Sequence, residues 1–212
     1  VSYSDEEQID AIRRWWQENG KSVIAGLVVA VVGVGGWQGW KAWQENQALA
    51  AGATYEELSA ALQADDLAAA REDLARLQAE HASNPYATLG SLRIGAELLE
   101  SGDAGAAVET LTWAVENAAG EATGKLARLR LAQAQFEAGS LDAALATLEP
   151  VPEGAYSARF HELRGDLLHA GGDAEAAAAA YEAAMAANPA DARRRFIDRK
   201  LANLSLPARA SS

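Results

Sequence analysis

The sequence predicts an all-α protein: a single N-terminal transmembrane helix, then a short α-solenoid of helical hairpins with a C-terminal capping helix. Three observations carry this reading. From Ser22 to Trp40 the chain runs SVIAGLVVAVVGVGGWQGW, without a charged side chain between Lys21 and Lys41. Five of the six tryptophans, Trp15, Trp16, Trp37, Trp40 and Trp43, bracket that run. Farther on, three alanine-rich segments align with one another, and their turn glycines Gly102, Gly139 and Gly172 are 37 and 33 residues apart, which is the mark of an internal repeat.

Residues 1–21 form a cytoplasmic amphipathic segment. Ser4 and Glu7 make a capping-box pattern, Ile9, Ile12 and Trp16 share a helix face, and Asn19-Gly20 is expected to stop the helix. The segment suits an interfacial helix on the inner leaflet or, alternatively, a docking peptide for a cytoplasmic partner. Residues 22–40 are the span. At about 1.5 Å per residue it reaches roughly 28 Å, close to the ~30 Å hydrocarbon core of a bilayer. Indole rings settle at headgroup level, so the five tryptophans read as interfacial anchors, which argues against a buried helix of a soluble core. Gly26, Ala30 and Gly33 lie on one face, and Gly35 and Gly39 lie on nearly the opposite one. Both faces are candidates for close packing against a partner helix.

Arg13, Arg14 and Lys21 precede the span, whereas Lys41 is the only basic residue in the twenty that follow it. The positive flank stays in the cytoplasm, so the larger part crosses, in a bacterium to the periplasm. Ala48-Leu49-Ala50 fits a signal-peptidase pattern, but it lies well past the apolar run and the n-region is acidic, so cleavage is not expected.

Residues 41–85 are read as a stalk and degenerate first hairpin, with Gly52 as a bend and Asn84-Pro85 closing the second helix. Residues 86–190 hold the repeats. Gly165 stands where two helices pack tightly, Gly172-Asp173 makes the turn, Ala177, Tyr181 and Ala184 form a small-large-small ridge, and Pro189 ends the helix. The first copy keeps Gly95, Gly102, Asp103, Ala107, Leu111 and Ala114, and the middle copy keeps Ala132, Gly139, Ala144 and Leu148. These residues resemble tetratricopeptide repeats, although the aromatic expected early in the first helix is His161 in the last copy and Ser91 in the first. Residues 191–212 are the capping helix and a frayed tail from Pro207. The helix is expected to be capped by Asp191 and to turn Arg193, Arg194, Arg195, Arg199 and Lys200 to solvent or to an acidic partner.

With 18 basic residues against 30 acidic ones, the net charge is −12, which disfavours nucleic acid. No cysteine is present, so disulfides and thiolate metal sites are excluded. His161-Glu162 opens like a zinc-protease helix, but Gly165 stands where the second histidine belongs. His161 and His169 lack a third ligand. Gly33-Val34-Gly35-Gly36 lies inside the span and is no phosphate loop, and the sequon at Asn203 has no meaning in a bacterium. Neither enzymatic activity nor a cofactor is expected. A repeat array offers instead a concave groove from the first helix of each pair, onto which Arg93, Arg130, Gln133, Phe136, Arg159, Glu162, Asp166 and His169 should project as partner contacts.

The ends narrow the reading. Glu6-Glu7-Gln8-Ile9-Asp10, Arg14-Trp15-Trp16, Glu18-Asn19-Gly20-Lys21 and the closing Lys200-Leu201-Ala202-Asn203-Leu204-Ser205 resemble the YfgM-like family, ancillary subunits of the SecYEG translocon. The resemblance implies a single-pass protein of the bacterial inner membrane with a periplasmic tetratricopeptide-like domain. Such a protein associates with the Sec translocon and a membrane-anchored periplasmic prolyl isomerase and assists exported polypeptides. An accessory or assembly subunit of another inner-membrane complex, such as a respiratory one, is the alternative.

Overall fold

The computed structural model describes residues 3–204, without the side chains of residues 3–8, 11 and 23. The capping box at Ser4 and Glu7 and the tail from Pro207 therefore lie outside the described residues. Helices α1 (Tyr3–Gln63), α2 (Leu67–Glu80), α3 (Pro85–Glu100), α4 (Ala104–Glu116), α5 (Glu121–Glu137), α6 (Leu141–Thr147), α7 (Ser157–Ala170), α8 (Ala174–Ala186) and α9 (Asp191–Ala202) follow one another, with a 3₁₀ turn at Gly154–Tyr156. The described residues form no strand, as the all-α reading expected. The chain divides into two compact units, Val1–Ala50 and Ala51–Ser212.

In the first unit, α1 passes through Asn19-Gly20 without the expected stop. Glycine weakens a helix interior by about 1 kcal/mol, but it ends one only by adopting a left-handed backbone, and Gly20 has no such φ. Asn19 Nδ2 donates to the Trp15 carbonyl at 3.0 Å instead of capping. The Trp16 indole lies over Gly20, 3.3 Å from where a Cβ would stand. From Ile24 onward α1 is long and apolar enough to cross a membrane. Residues 24–40 are exposed throughout.

The second unit is built from four helical hairpins. Each turn repeats one backbone device. Asp103 N–H reaches the Leu98 carbonyl at 2.8 Å and Gly102 N–H the Leu99 carbonyl at 3.0 Å, the paired bonds of a Schellman turn. The same pair recurs at Gly139-Ser140 and Gly172-Asp173, where φ is 80° and 89°. It recurs again at Asp65-Asp66, with Asp65 at φ 56°. The residue after each turn starts the second helix, and Asp66, Asp103 and Asp173 accept from the N–H three residues on at 2.9–3.1 Å. Asp65 stands 37 residues before Gly102, so the first hairpin holds the same register. Asn84-Pro85 starts α3 rather than closing α2: Asn84 caps the Tyr86 N–H at 3.1 Å, and Pro85 takes the first turn.

The two helices of a pair touch where a Cβ is missing. A Cβ on Gly95 would lie 2.6 Å from Leu111, and one on Gly165 would lie 2.5 Å from Tyr181. Ala132 and Leu148, both fully buried, share one core cluster in the middle pair. Gly52 lies inside α1, where a Cβ would be in ordinary contact with the Tyr86 ring at 3.4 Å. The buried aromatic early in α7 is Phe160, one position before His161, and Ser91 is satisfied by the Ala87 carbonyl at 2.8 Å and by Gln78 Nε2 at 3.1 Å. Three apolar clusters succeed one another along the chain, the nearest-neighbour arrangement of a solenoid.

The crossing yields a stability prediction. Gly165→Ala should lower stability by about 1–3 kcal/mol through overpacking against Tyr181, read as a shift in the denaturant midpoint of the full chain in detergent. Gly105→Ala, whose Cβ meets nothing closer than 3.9 Å, should leave the midpoint unchanged or raise it.

Candidate functional site

The first helices of successive pairs pack on one another, α3 on α5 and α5 on α7, whereas no two second helices pack closely among the described residues. The first helices therefore form the inner face. Between α5, α7 and α9 that face opens into a cavity of about 110 Å³. Leu126, Leu129 and Leu163 give it an apolar lining, and Arg130, Gln133, Arg159, Glu162, Asp166 and Arg193 give it a polar one.

Five of the eight groove candidates thus meet in one place: Arg130, Gln133, Arg159, Glu162 and Asp166. Helical spacing explains it, since 130 and 133 are one turn apart on α5, while 159, 162 and 166 climb one side of α7. The other three lie elsewhere. Arg93 Nη1 donates to Ser59 Oγ at 2.7 Å, Phe136 packs on the middle core, and His169 is exposed in the last turn of α7.

The two carboxylates of the cavity are occupied from within. Glu162 is only 5 % exposed. Arg193 Nη1 reaches its Oε2 at 2.5 Å and Lys200 Nζ its Oε1 at 2.9 Å. Lys200 also lies 2.7 Å from both oxygens of Asp166, whose Oδ1 accepts from the Tyr181 hydroxyl at 2.7 Å. Burial, and then the bond to Asp166, hold the Tyr181 hydroxyl well above the ordinary tyrosine range. These contacts correct the expectation of a solvated basic face on α9: Arg193 and Lys200 turn inward, Arg194 bonds Asn188 Oδ1 at 2.9 Å, and Arg199 and Lys200 lie over the Phe196 ring. Asp191 is the first residue of α9 and not its cap, which falls at Ala190 without a side-chain bond. It supplies charge to the helix start instead.

Sequence reasoning passed over Arg193 and Lys200 as parts of this site, since their carboxylates lie 31 to 38 residues away. It also passed over Arg128, which donates to the Thr147 and Pro150 carbonyls and covers the Phe160 ring at 4.9 Å. A wider cleft of about 310 Å³ separates α2 from α4, lined by Trp113 and by the buried Leu74 and Ile94. His161 is held below the ordinary histidine range by burial and then by Arg164, whose own partner is Glu149. No group of three or more His, Asp or Glu side chains able to hold a metal occurs among the described residues.

In the first unit the five tryptophans are all half exposed or more. Trp15 stacks near Trp16 at 6.4 Å and Trp40 near Trp43 at 5.1 Å. Trp37 stands about 32 Å beyond Trp16 along the helix, which is the spacing of two membrane interfaces. Gly26, Gly33, Gly35 and Gly39 have nothing within 4 Å of a notional Cβ, and Ala30 is exposed beside them.

A repeat array of helical hairpins with, among the described residues, one candidate membrane-spanning helix defines a class, the α-solenoid interaction protein. More narrowly, a family described as tetratricopeptide repeat-like domain matches residues 13–206, and the chain belongs to that family. Its domains are typically non-catalytic interaction modules. A search of curated proteins finds no match.

Two outcomes follow from the ion pairs. Glu162→Ala leaves Arg193 without its carboxylate and should cost about 1–3 kcal/mol, whereas Arg195→Ala on the outer side of α9 should stay within about 0.5 kcal/mol. Denaturant midpoints of the two variants compare them. Because the folded state raises the Tyr181 pKa, the stability linked to its hydroxyl is complete below the ordinary value of about 10 and is lost as pH climbs through the raised value. Tyr181→Phe should remove a late-ionising phenol from an ultraviolet pH titration and flatten the alkaline fall in stability.

Proposed function

We propose that the protein is a non-catalytic subunit anchored in the bacterial inner membrane, with its repeats in the periplasm. There it acts as a scaffold or chaperone-type partner of the Sec translocon and receives exported polypeptides on the inner face of the repeats. The observation that carries this reading is the cavity on that face, lined by side chains of α5, α7 and α9. The exposed apolar run of α1 gives the same chain a means of staying at a membrane. Arg13, Arg14 and Lys21 before that run, against Lys41 alone after it, support a cytoplasmic N-terminus. The Glu18-Asn19-Gly20-Lys21 junction and the closing Lys200 to Ser205 segment support the translocon and its membrane-anchored prolyl isomerase as partners by resemblance.

Tethering supplies the physical logic. A binding face held at the membrane meets emerging chains at a raised effective concentration, so weak individual contacts suffice. The uncovered glycine faces around Gly26 and Gly35 favour a second reading, in which the span docks into another inner-membrane assembly such as a respiratory complex and the repeats are an accessory module.

Purification of the full chain in mild detergent, with identification of its co-purifying chains, separates the two. Translocon subunits are the expected companions, and a respiratory complex without them would overturn the first reading. Photocrosslinking from position 159 should capture exported polypeptides, while the outward Arg195 should capture none.

A further inference from the structure

Helix α9 is seated largely by charge, whereas the helix before it is seated by packing. Helix α8 turns Ala177, Ala178, Ala180, Tyr181 and Ala184 into the core, while α9 buries Ile197 alone. The inward stripe of α9 is Arg193, Ile197 and Lys200, so two cations bracket one apolar side chain at helical spacing. Arg193 Nη1 lies 2.5 Å from Glu162 Oε2, and Lys200 Nζ lies 2.9 Å from Glu162 Oε1 and 2.7 Å from Asp166 Oδ1. All three pairs end on α7, at positions one turn apart. The chain enters α9 through residues 187–190, which are not helical, and no side chain caps the helix start at Ala190. Arg193 also lines the recess between α5, α7 and α9, so α9 forms one wall of it.

We infer that α9 is a detachable latch: when its ion pairs are weakened it leaves α7 as a unit, with α7 and α8 still folded, and its departure opens the recess on that side. Segments with few buried apolar contacts open locally at a small fraction of the global unfolding cost, and α9 is such a segment. The side chains of Arg193 and Asp166 are 40 % and 38 % exposed, which lets counter-ions screen their pairs. Salt does not weaken apolar burial in this way. Rising ionic strength therefore loosens α9 while α8 holds. Opening also returns Glu162 to water, so the open form carries no buried unpaired charge. Ile197 and Leu204, which enter the last apolar cluster, keep the latch shut at rest. The latch itself depends only on α7 and α9; that it governs entry of polypeptides rests on the reading that the inner face receives them.

Hydrogen exchange read by mass spectrometry tests the latch, on the full chain in detergent micelles at about 25 mM and about 0.5 M sodium chloride. Amides of α9 should exchange roughly tenfold or more faster than those of α8. The higher salt should speed α9 roughly threefold or more and leave α8 unchanged. Arg193→Gln with Lys200→Gln should speed α9 at low salt and remove most of its salt response. Arg195→Gln with Arg199→Gln, an equal change of charge on the exposed side, should do neither. The chain has no cysteine, so Gln133→Cys places a single thiol in the recess, and its alkylation should quicken with salt in step with α9 exchange. Photocrosslinking of exported polypeptides from position 159 should rise when Arg193 and Lys200 are both replaced. Exchange of α9 together with α8, or an α9 rate indifferent to salt and to the inward substitutions, would overturn the latch. Thiol reactivity that does not follow α9 exchange would overturn its control of the recess. Absence of crosslinks from every form, with exchange and alkylation as expected, would overturn the polypeptide-receiving reading and leave the latch standing.

Discussion

Two of the four helical hairpins depend on a crossing at which one side chain is missing. Gly95 faces Leu111 and Gly165 faces Tyr181 at distances that a Cβ could not share. The helices close on each other there, and the larger residue fills the gap so produced. The turn beyond must then reverse the chain within a few residues. A left-handed residue followed by a helix cap does this four times with the same backbone bonds. The crossing sets the spacing within a pair and the turn sets its direction, and stacking of the first helices α3, α5 and α7 follows from both.

Where the repeat pattern states a steric need, the fold can be read directly from residues. Gly165, Tyr181 and the Gly-Asp turns announced their roles because no other residue types satisfy them as cheaply. Asp65 shows the limit. It fills a left-handed position that glycine fills in the other hairpins, and aspartate tolerates that backbone better than most residues do. The evidence lay in register, 37 residues before Gly102, rather than in residue type. Asn19-Gly20 shows the opposite failure. The pair has the composition of a helix stop, but with Trp16 lying over the glycine and Asn19 bonding back along the helix, α1 continues.

The candidate site was half legible for a related reason. Period alone places Arg130, Gln133, Arg159, Glu162 and Asp166 on the inner faces of adjacent first helices. Period cannot say which of them the fold itself will pair. Glu162 and Asp166 meet Arg193 and Lys200 across 31 to 38 residues of sequence, and nothing local distinguishes those two basic residues from Arg194 or Arg195. Phe136 packs partly buried against the middle core, where an aromatic gains more than in solvent.

The capping helix therefore does more than cover an apolar end. Without it the inner face between α5 and α7 would be charge-balanced, two guanidiniums at Arg130 and Arg159 against two carboxylates at Glu162 and Asp166. Helix α9 itself buries only Ile197 among its residues, with Leu204 just beyond its end, so its seat relies heavily on Arg193 and Lys200 entering that face. Their arrival satisfies buried Glu162, which would otherwise carry the cost of an unpaired charge. In doing so they add two cationic groups to a face that already holds Arg130 and Arg159. The same contacts that fasten the end of the solenoid thus set the sign of its cavity, and an acidic protein acquires a cationic recess on the face its repeats expose.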